Sequence, residues 1–354
     1  MLSENLEIFL ITYNRKSYLE VTLNKIFSDD SPLKDYPITV LDNNSNDGTG
    51  DLCKTFAENF SNLTYIKNRR NVGLAGNICK AMERASKKYY WIICDNDEID
   101  FSSWAEVENA MTEGYDIIMA SVDYNCENIK DKRAFVLAQS TFLPACIYKT
   151  EFLTDDVMTY AYTDIHTILP HVCAACNIIN HNGKFYIPEK SIISLTDNVK
   201  IKNSKKYNYD RVITKSKKKI VHERTSIVSF YAGICASYNA LEDKALRNDV
   251  LRVFMYEENA NGYGPFLPVA KIYKHQLLPF YNQKMPRHIW CQFVNLIPFE
   301  DKIKTLYSCL FSPVKFFYSK KEGDLYIKFF GLIKTKLFRK VRGIKLFDFL
   351  VAKV

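Results

Sequence analysis

Asp95 and Asp97 stand two residues apart, directly after the apolar run Tyr90-Trp91-Ile92-Ile93-Cys94. Carboxylates so spaced at a strand end can hold a divalent cation, one ligating the metal while the other reaches a water or a hydroxyl. Mn²⁺ or Mg²⁺ would bridge the pair to a diphosphate, because hard oxygen ligands suit those ions. An Asp-x-Asp is equally an ordinary solvated turn, a conformation that Asp and Asn favour in any case. Which of the two it is depends on the elements that position it.

Residues 6–12 (Leu-Glu-Ile-Phe-Leu-Ile-Thr) read as a buried strand, and Lys16 to Phe27 as a helix with Leu19, Leu23, Ile26 and Phe27 on one face. Pro37 to Leu41 is a second strand, running into the turn-forming stretch Asp42 to Thr49 and a helix over about 50–60. Leu63 to Lys67 is a third strand, Gly73 to Ala85 a helix, and Tyr89 to Cys94 a fourth strand that ends at Asp95. Strand and helix alternating at this spacing predict an α/β fold, a mostly parallel sheet flanked by helices. Ligands of such sheets sit outside the carboxyl ends of the strands, where the polar runs Thr12–Arg15, Asp42–Thr49 and Asp95–Glu98 all fall.

Beyond Trp104 the spacing predicts strands at Ile117–Val122, Ala134–Ala138 and Ala145–Tyr148, a helix over Thr163–Ile179, and a strand at Phe185–Ile187 after the turn His181–Lys184. Lys200 to Lys219 is polar and basic, a boundary or a lid over an anionic ligand. From Arg224 onward the chain reads as helical. The organisation expected is a catalytic domain over 1–200, a basic linker or lid over 201–223, and a mainly helical C-terminal region over 224–354.

Of the 354 residues 47% are hydrophobic and 25% charged, a globular balance that excludes a disordered chain. No apolar stretch approaches the roughly 18–20 residues that span a bilayer, and the N-terminus has no basic leader. A cytoplasmic location is expected, with the ten scattered Cys reduced. The net charge of +8 is concentrated late, which suggests an anionic partner for the C-terminal part.

Four segments, in order and at matching spacing, resemble the inverting family 2 glycosyltransferases with the GT-A fold: Ile11-Thr12-Tyr13-Asn14-Arg15, Leu41 to Thr49, Asn71-Val72-Gly73-Leu74-Ala75-Gly76-Asn77, and Asp95-Asn96-Asp97-Glu98. The resemblance covers the chain to about residue 105, extends plausibly to about 195, and is absent beyond. It implies transfer of one sugar from a nucleotide-sugar donor, UDP- or dTDP-type, with Mn²⁺ or Mg²⁺ as cofactor. Thr12, Tyr13, Asn14 and Arg15 would line the base and ribose pocket, and Asp42 and Asn44 would meet the base, Asp42 accepting from an imide N–H. Asn71, Gly73 and Asn77 would lie near the ribose and diphosphate, Gly73 permitting close backbone approach. Asp95 and Asn96 would face the ribose or sugar, and Asp97, with Asp95, would hold the metal. The family's carboxylate base falls nearest Asp164, in Tyr162-Thr163-Asp164-Ile165-His166, although Thr163 stands where an acidic residue is expected. Asp155 and Asp156 are its rivals, and either could cap the following helix instead.

Other signals are discounted. His171, Cys173, Cys176 and His181 have a metal set's residue types, but the Cys pair lies inside an apolar helical run rather than on a turn. No Gly-x-Gly-x-x-Gly, phosphate-loop or Gln-x-x-Arg-Trp motif occurs, which argues for single transfer rather than processive synthesis.

In the tail, Phe330, Ile333, Leu337, Val341 and Ile344 form one stripe at helical spacing, with Lys328, Arg339 and Arg342 opposite. Such a helix would either lie on an anionic membrane or pack on its own domain or another subunit. The resemblance implies a transferase acting on a glycan or lipid-linked glycan acceptor in surface polysaccharide biosynthesis, and the tail would suit a place at the inner face of the plasma membrane. A nucleic acid partner is not expected. The alternative is a non-catalytic nucleotide-sugar-binding or membrane-surface scaffold subunit.

Overall fold

The computed structural model describes residues 4–122, 131–163, 165, 169–194, 238, 240–247 and 249–250, with the backbone of 314–319, 324–329 and 333–338. The chain divides into two compact units, Met1–Ile289 and Trp290–Val354.

The first unit opens with the predicted alternation: β1 (Leu6–Thr12), α1 (Lys16–Ile26), β2 (Ile38–Asp42), α2 (Thr49–Asn59), β3 (Leu63–Lys67), α3 (Gly73–Arg84) and β4 (Tyr89–Cys94). All seven residues of β1 are buried, as a central strand covered on both faces requires. There follow β5 (Glu98–Ile99), α4 (Trp104–Thr112), β6 (Ile117–Met119), α5 (Lys132–Gln139), β7 (Cys146–Lys149), α6 (Asp155–Thr163), α7 (Val172–Asn180), β8 (Phe185–Tyr186) and β9 (Ile193–Ser194). The main sheet has the order β3-β2-β1-β4-β7-β6-β8, and β5 pairs separately with β9. Strands β1 to β4 run parallel, and β7 is antiparallel to both β4 and β6. This is the GT-A arrangement, a mostly parallel sheet flanked by helices.

Register decides what meets at the carboxyl edge. Thr12 pairs with Asp42, Asp42 with Lys67, and Ile11 with Cys94, so three polar strand ends lie side by side and Asp95 emerges one residue past β4. Behind that edge Tyr89, Tyr90 and Trp91 are fully buried. The Trp91 indole N–H donates to the Pro144 carbonyl at 2.8 Å and the Tyr89 hydroxyl to that of Tyr115 at 2.9 Å, whereas the Tyr90 hydroxyl is buried without a hydrogen-bond partner.

Two expectations for the middle of the chain change. Ala134–Ala138 lies in helix α5, started by Asp131, whose carboxylate accepts from the Arg133 backbone N–H at 2.8 Å. The helix expected over Thr163–Ile179 begins later, as α7 at Val172: Thr163 is the last residue of α6, and Leu169–His171 are not helical, Pro170 lacking the N–H that a helix interior uses. Two later residues of this unit also pack on its earlier elements: the Tyr238 hydroxyl donates to the Leu137 carbonyl at 2.9 Å, and Arg133 pairs with Asp243 at 3.1 Å.

The second unit contains β10 (Val314–Ser319), β11 (Asp324–Phe329) and β12 (Ile333–Phe338), joined as an antiparallel sheet in the order β10-β11-β12. This corrects the mainly helical reading of the C-terminal region over 314–319, 324–329 and 333–338, and removes the helical stripe at Ile333 and Leu337. Short alternating runs such as Ile333-Lys-Thr-Lys-Leu, punctuated by Gly323 and Gly331, suit strands, and a helical period drawn through them is coincidental. Val341, Ile344 and the basic stretch Lys200–Lys219 lie outside the described residues.

Candidate active site

Asp95 is the hub of the carboxyl edge. It is buried, and its Oδ2 accepts the Thr12 hydroxyl at 2.7 Å while its Oδ1 accepts Arg15 Nη1 at 3.1 Å. The same Nη1 donates to Asn96 Oδ1 at 2.8 Å, so Arg15 clamps both residues of the turn from the start of α1. Its side chain stays half exposed, at 51%, against 2% for Asp95. Burial raises the Asp95 pKa, and Arg15 and Thr12 oppose the rise. Thr22, buried on α1, donates to the Asp95 backbone carbonyl at 2.9 Å. Side chain and backbone of Asp95 are thus held by three residues of β1 and α1.

Asp97 is in a different state. Its Oδ2 is shielded from solvent and has no hydrogen-bond partner. Burial pushes its pKa up to about 7, the nearby Asp95 adds to this, and hydrogen bonds from Cys94 oppose it. A shielded carboxylate oxygen without a donor is costly unless a cation or proton meets it. Asp97 therefore fits a divalent cation, whereas the charge of Asp95 is already matched by Arg15. No group of three His, Cys, Asp or Glu side chains able to hold a metal occurs among the described residues. A cation anchored here would take most of its oxygens from a bound diphosphate and water, as Mg²⁺ commonly does.

The second polar loop is organised from within. Asp42 is fully buried, its Oδ1 accepting the Ser45 backbone N–H at 2.8 Å and its Oδ2 the Tyr65 hydroxyl at 2.7 Å. Asn14 and Asn44 take the left-handed conformation, with φ of 51° and 70°, which Asn tolerates better than most residues. The Asn14 backbone N–H donates to Ser45 Oγ at 2.8 Å and its side-chain oxygen accepts from the Asn46 N–H at 2.9 Å, tying the first loop to the second. Tyr13 and Asn44 project into solvent.

The third segment hangs on an asparagine network. Asn43 Nδ2 donates to Asn71 Oδ1 at 2.8 Å and to the Gly73 carbonyl at 3.1 Å, and Asn43 Oδ1 accepts from the Val72 N–H at 2.9 Å. Gly73 opens α3 with φ of 78°, a conformation that a Cβ would strain. Asn77 is buried inside the network: its Nδ2 donates to the Leu41 carbonyl at 3.0 Å and its Oδ1 accepts from Asn68 at 2.8 Å. It braces the floor of the cleft.

Of the residues expected from sequence, Thr12, Arg15, Asp95 and Asn96 are joined by direct contacts, and Asn71 and Gly73 share a second cluster. Asp164 lies outside the described residues. Asp155 and Asp156 are exposed on the first turn of α6. Sequence reasoning missed Thr22, Tyr65, Asn43 and Asn68 as organisers. Asn43 lay within a quoted motif, but nothing in the local spacing marks Thr22 or Tyr65, whose partners are 73 and 23 residues away in the chain. His171, Cys173 and Cys176 are buried, with His171 Nε2 donating to the Ser140 carbonyl at 2.9 Å.

A mostly parallel sheet with a clamped Asp-x-Asp turn at its carboxyl edge is the GT-A arrangement. Residues 7–163 match the family described as Glycosyl transferase family 2. It is 25% identical over 217 residues to the abequosyltransferase RfbV of Salmonella typhimurium. That match covers 53% of this chain and 65% of the relative, just under two-thirds of its length. Among solved structures it resembles S. aureus TarS, with a TM-score of 0.52, 13% identity, and coverage of 94% of this chain and 60% of that one. It also resembles TarS 1–349 in complex with UDP-GlcNAc, with a TM-score of 0.50, 13% identity, and coverage of 94% and 99%. At such identities the structural likeness speaks for the fold alone.

Proposed function

We propose that the protein is an inverting glycosyltransferase that moves one sugar from a nucleotide sugar to a hydroxyl of a glycan or lipid-linked glycan. The observation that carries the reading is the contrast at the Asp-x-Asp turn: Asp95 is clamped by Thr12 and Arg15, while Asp97 Oδ2 is shielded and unpartnered beside it. Asp97 would hold Mn²⁺ or Mg²⁺ against the donor diphosphate, and the metal, when bound, would neutralise charge on the leaving group. Arg15 and Thr12 hold Asp95 in place, and the Asn43 network presents the α3 N-terminus and Gly73 to the phosphates. Exposed Tyr13 offers a ring to the nucleobase. Asp164 is our candidate for the base that deprotonates the acceptor, with Asp155 and Asp156 as its rivals.

A role in surface polysaccharide assembly is consistent with the relative named an abequosyltransferase. No helix among the described residues is long and apolar enough to cross a membrane. A thermal-shift screen of nucleotide sugars with and without Mn²⁺ tests the proposal. A donor whose stabilisation requires the metal, and whose sugar is hydrolysed or transferred, supports it. If no nucleotide sugar shifts the melting temperature under either condition, the reading falls.

A further inference from the structure

We propose that the open face of α6 is an acceptor subsite that binds a neutral sugar ring. The inference rests on the transferase reading above and names the substrate class for its acceptor side. A groove of about 570 Å³ runs along this helix, lined among the described residues by Asp155, Met158, Thr159, Tyr162 and Thr163. Their spacing of three and four residues places them on one helical face.

The chemistry of this face is that of a polyol site. Tyr162 is 39% exposed, and its hydroxyl donates to Glu83 Oε2 on α3 at 2.8 Å. The ring is thereby held in place, so a sugar's C–H face can pack on it at little further entropic cost. The Thr163 hydroxyl gives its proton to the Thr159 backbone carbonyl at 2.8 Å, which leaves its lone pairs to accept from a ligand hydroxyl. Exposed Asp155 adds a carboxylate that only accepts, and Thr159 a hydroxyl that does both. Several acceptors around an aromatic face suit a ligand with many hydroxyl protons. The charged side chain among the described lining residues is the Asp155 carboxylate, which disfavours an anionic head group or phosphate.

The groove also lies where an acceptor must enter. Helix α6 is joined to α3 by the Cys79 thiol on the Ala161 carbonyl at 3.5 Å. Beyond its end, Ile165 reaches the first turn of α3, where a Cβ on Gly76 would stand 3.5 Å from Ile165 Cδ1. Gly76 follows Gly73 by less than one helical turn, and the Gly73 carbonyl belongs to the Asn43 network. The C-terminal end of the groove therefore borders the donor cradle.

Saturation-transfer NMR on the full chain tests this, with methyl glycosides of mannose, rhamnose, galactose and N-acetylglucosamine offered singly. In parallel, UDP, dTDP, GDP and CDP, each with Mn²⁺, are scored by thermal shift. At least one glycoside should show saturation transfer. Thr159→Arg, which fills the groove from an exposed position, and Tyr162→Ala should each reduce it at least five-fold with the nucleotide shift unchanged. If no glycoside responds in protein that binds a nucleotide with Mn²⁺, or if the response survives Thr159→Arg, the proposal is wrong. A glycoside response sensitive to Thr159→Arg in protein that binds none of the nucleotides would keep the subsite and overturn the donor reading.

Discussion

The Tyr65 hydroxyl on β3 donates to Asp42 Oδ2 at the end of β2 at 2.7 Å, and it fits only because residue 50 has no side chain. A Cβ on Gly50 would stand 2.8 Å from that hydroxyl oxygen. Burial, and then the bond to Asp42, raise the Tyr65 pKa above its usual value, so the hydroxyl remains a donor. Tyr65→Phe should cost about 1–3 kcal/mol, because the buried Asp42 carboxylate loses a donor. Gly50→Ala should destabilise the wild-type protein by displacing the hydroxyl. In the Tyr65→Phe background the same change should be neutral or stabilising, since alanine is favoured by about 1 kcal/mol over glycine within a helix. Urea melts of the four proteins measure this coupling; additive effects would refute it.

Asn77 braces two elements at once, through the Leu41 carbonyl and Asn68. Asn77→Ala should lower stability by about 2 kcal/mol, because both partners are left buried with a bond unmade. The denaturant midpoint should fall with its slope unchanged. Nucleotide affinity should weaken too, since the same amides anchor the loop that ends at Gly73.

Asp97 should separate metal binding from folding. Asp97→Asn removes the charge of a carboxylate whose shielded Oδ2 has no partner, so the metal-free protein should melt at the same temperature or higher. Stabilisation by Mn²⁺ with a nucleoside diphosphate should disappear, and transfer with it. A variant that keeps the metal-dependent shift would place the cation elsewhere.

His171 gives a pH signature remote from the cleft. Burial pushes its pKa down to about 4, opposed by its bond to the Ser140 carbonyl. An unfolded histidine takes up its proton near 6.5, so protons favour the unfolded chain between those values. The stability associated with neutral His171 is whole above about 6.5 and is lost as the pH falls towards 4. Melting temperatures from pH 7 to 4 should drop more steeply for wild type than for His171→Gln; parallel curves would contradict the assignment.

Periodicity alone identified β1 to β4 and α1 to α3, because each buried element carries its own apolar pattern within a few residues. The Asp-x-Asp turn was legible for the same reason: a buried strand that stops at Cys94 leaves the next polar residues at the sheet edge. The helical reading of 314–319, 324–329 and 333–338 failed because alternating lysines and apolar residues in short runs satisfy two periods at once. Only pairing with neighbouring strands decides between them.

The chain by itself thus determined that Asp95 and Asp97 sit at the carboxyl edge of a mostly parallel sheet, since local pattern sets where a strand ends. It could not assign them different tasks. That division came from the tertiary structure, where the parallel register and the start of α1 bring Thr12 and Arg15, more than 79 positions away, onto Asp95 and leave Asp97 Oδ2 enclosed without a donor. Charge and solvation at such a site depend on what surrounds each carboxylate in space, and residue types at fixed spacing along the chain do not encode that.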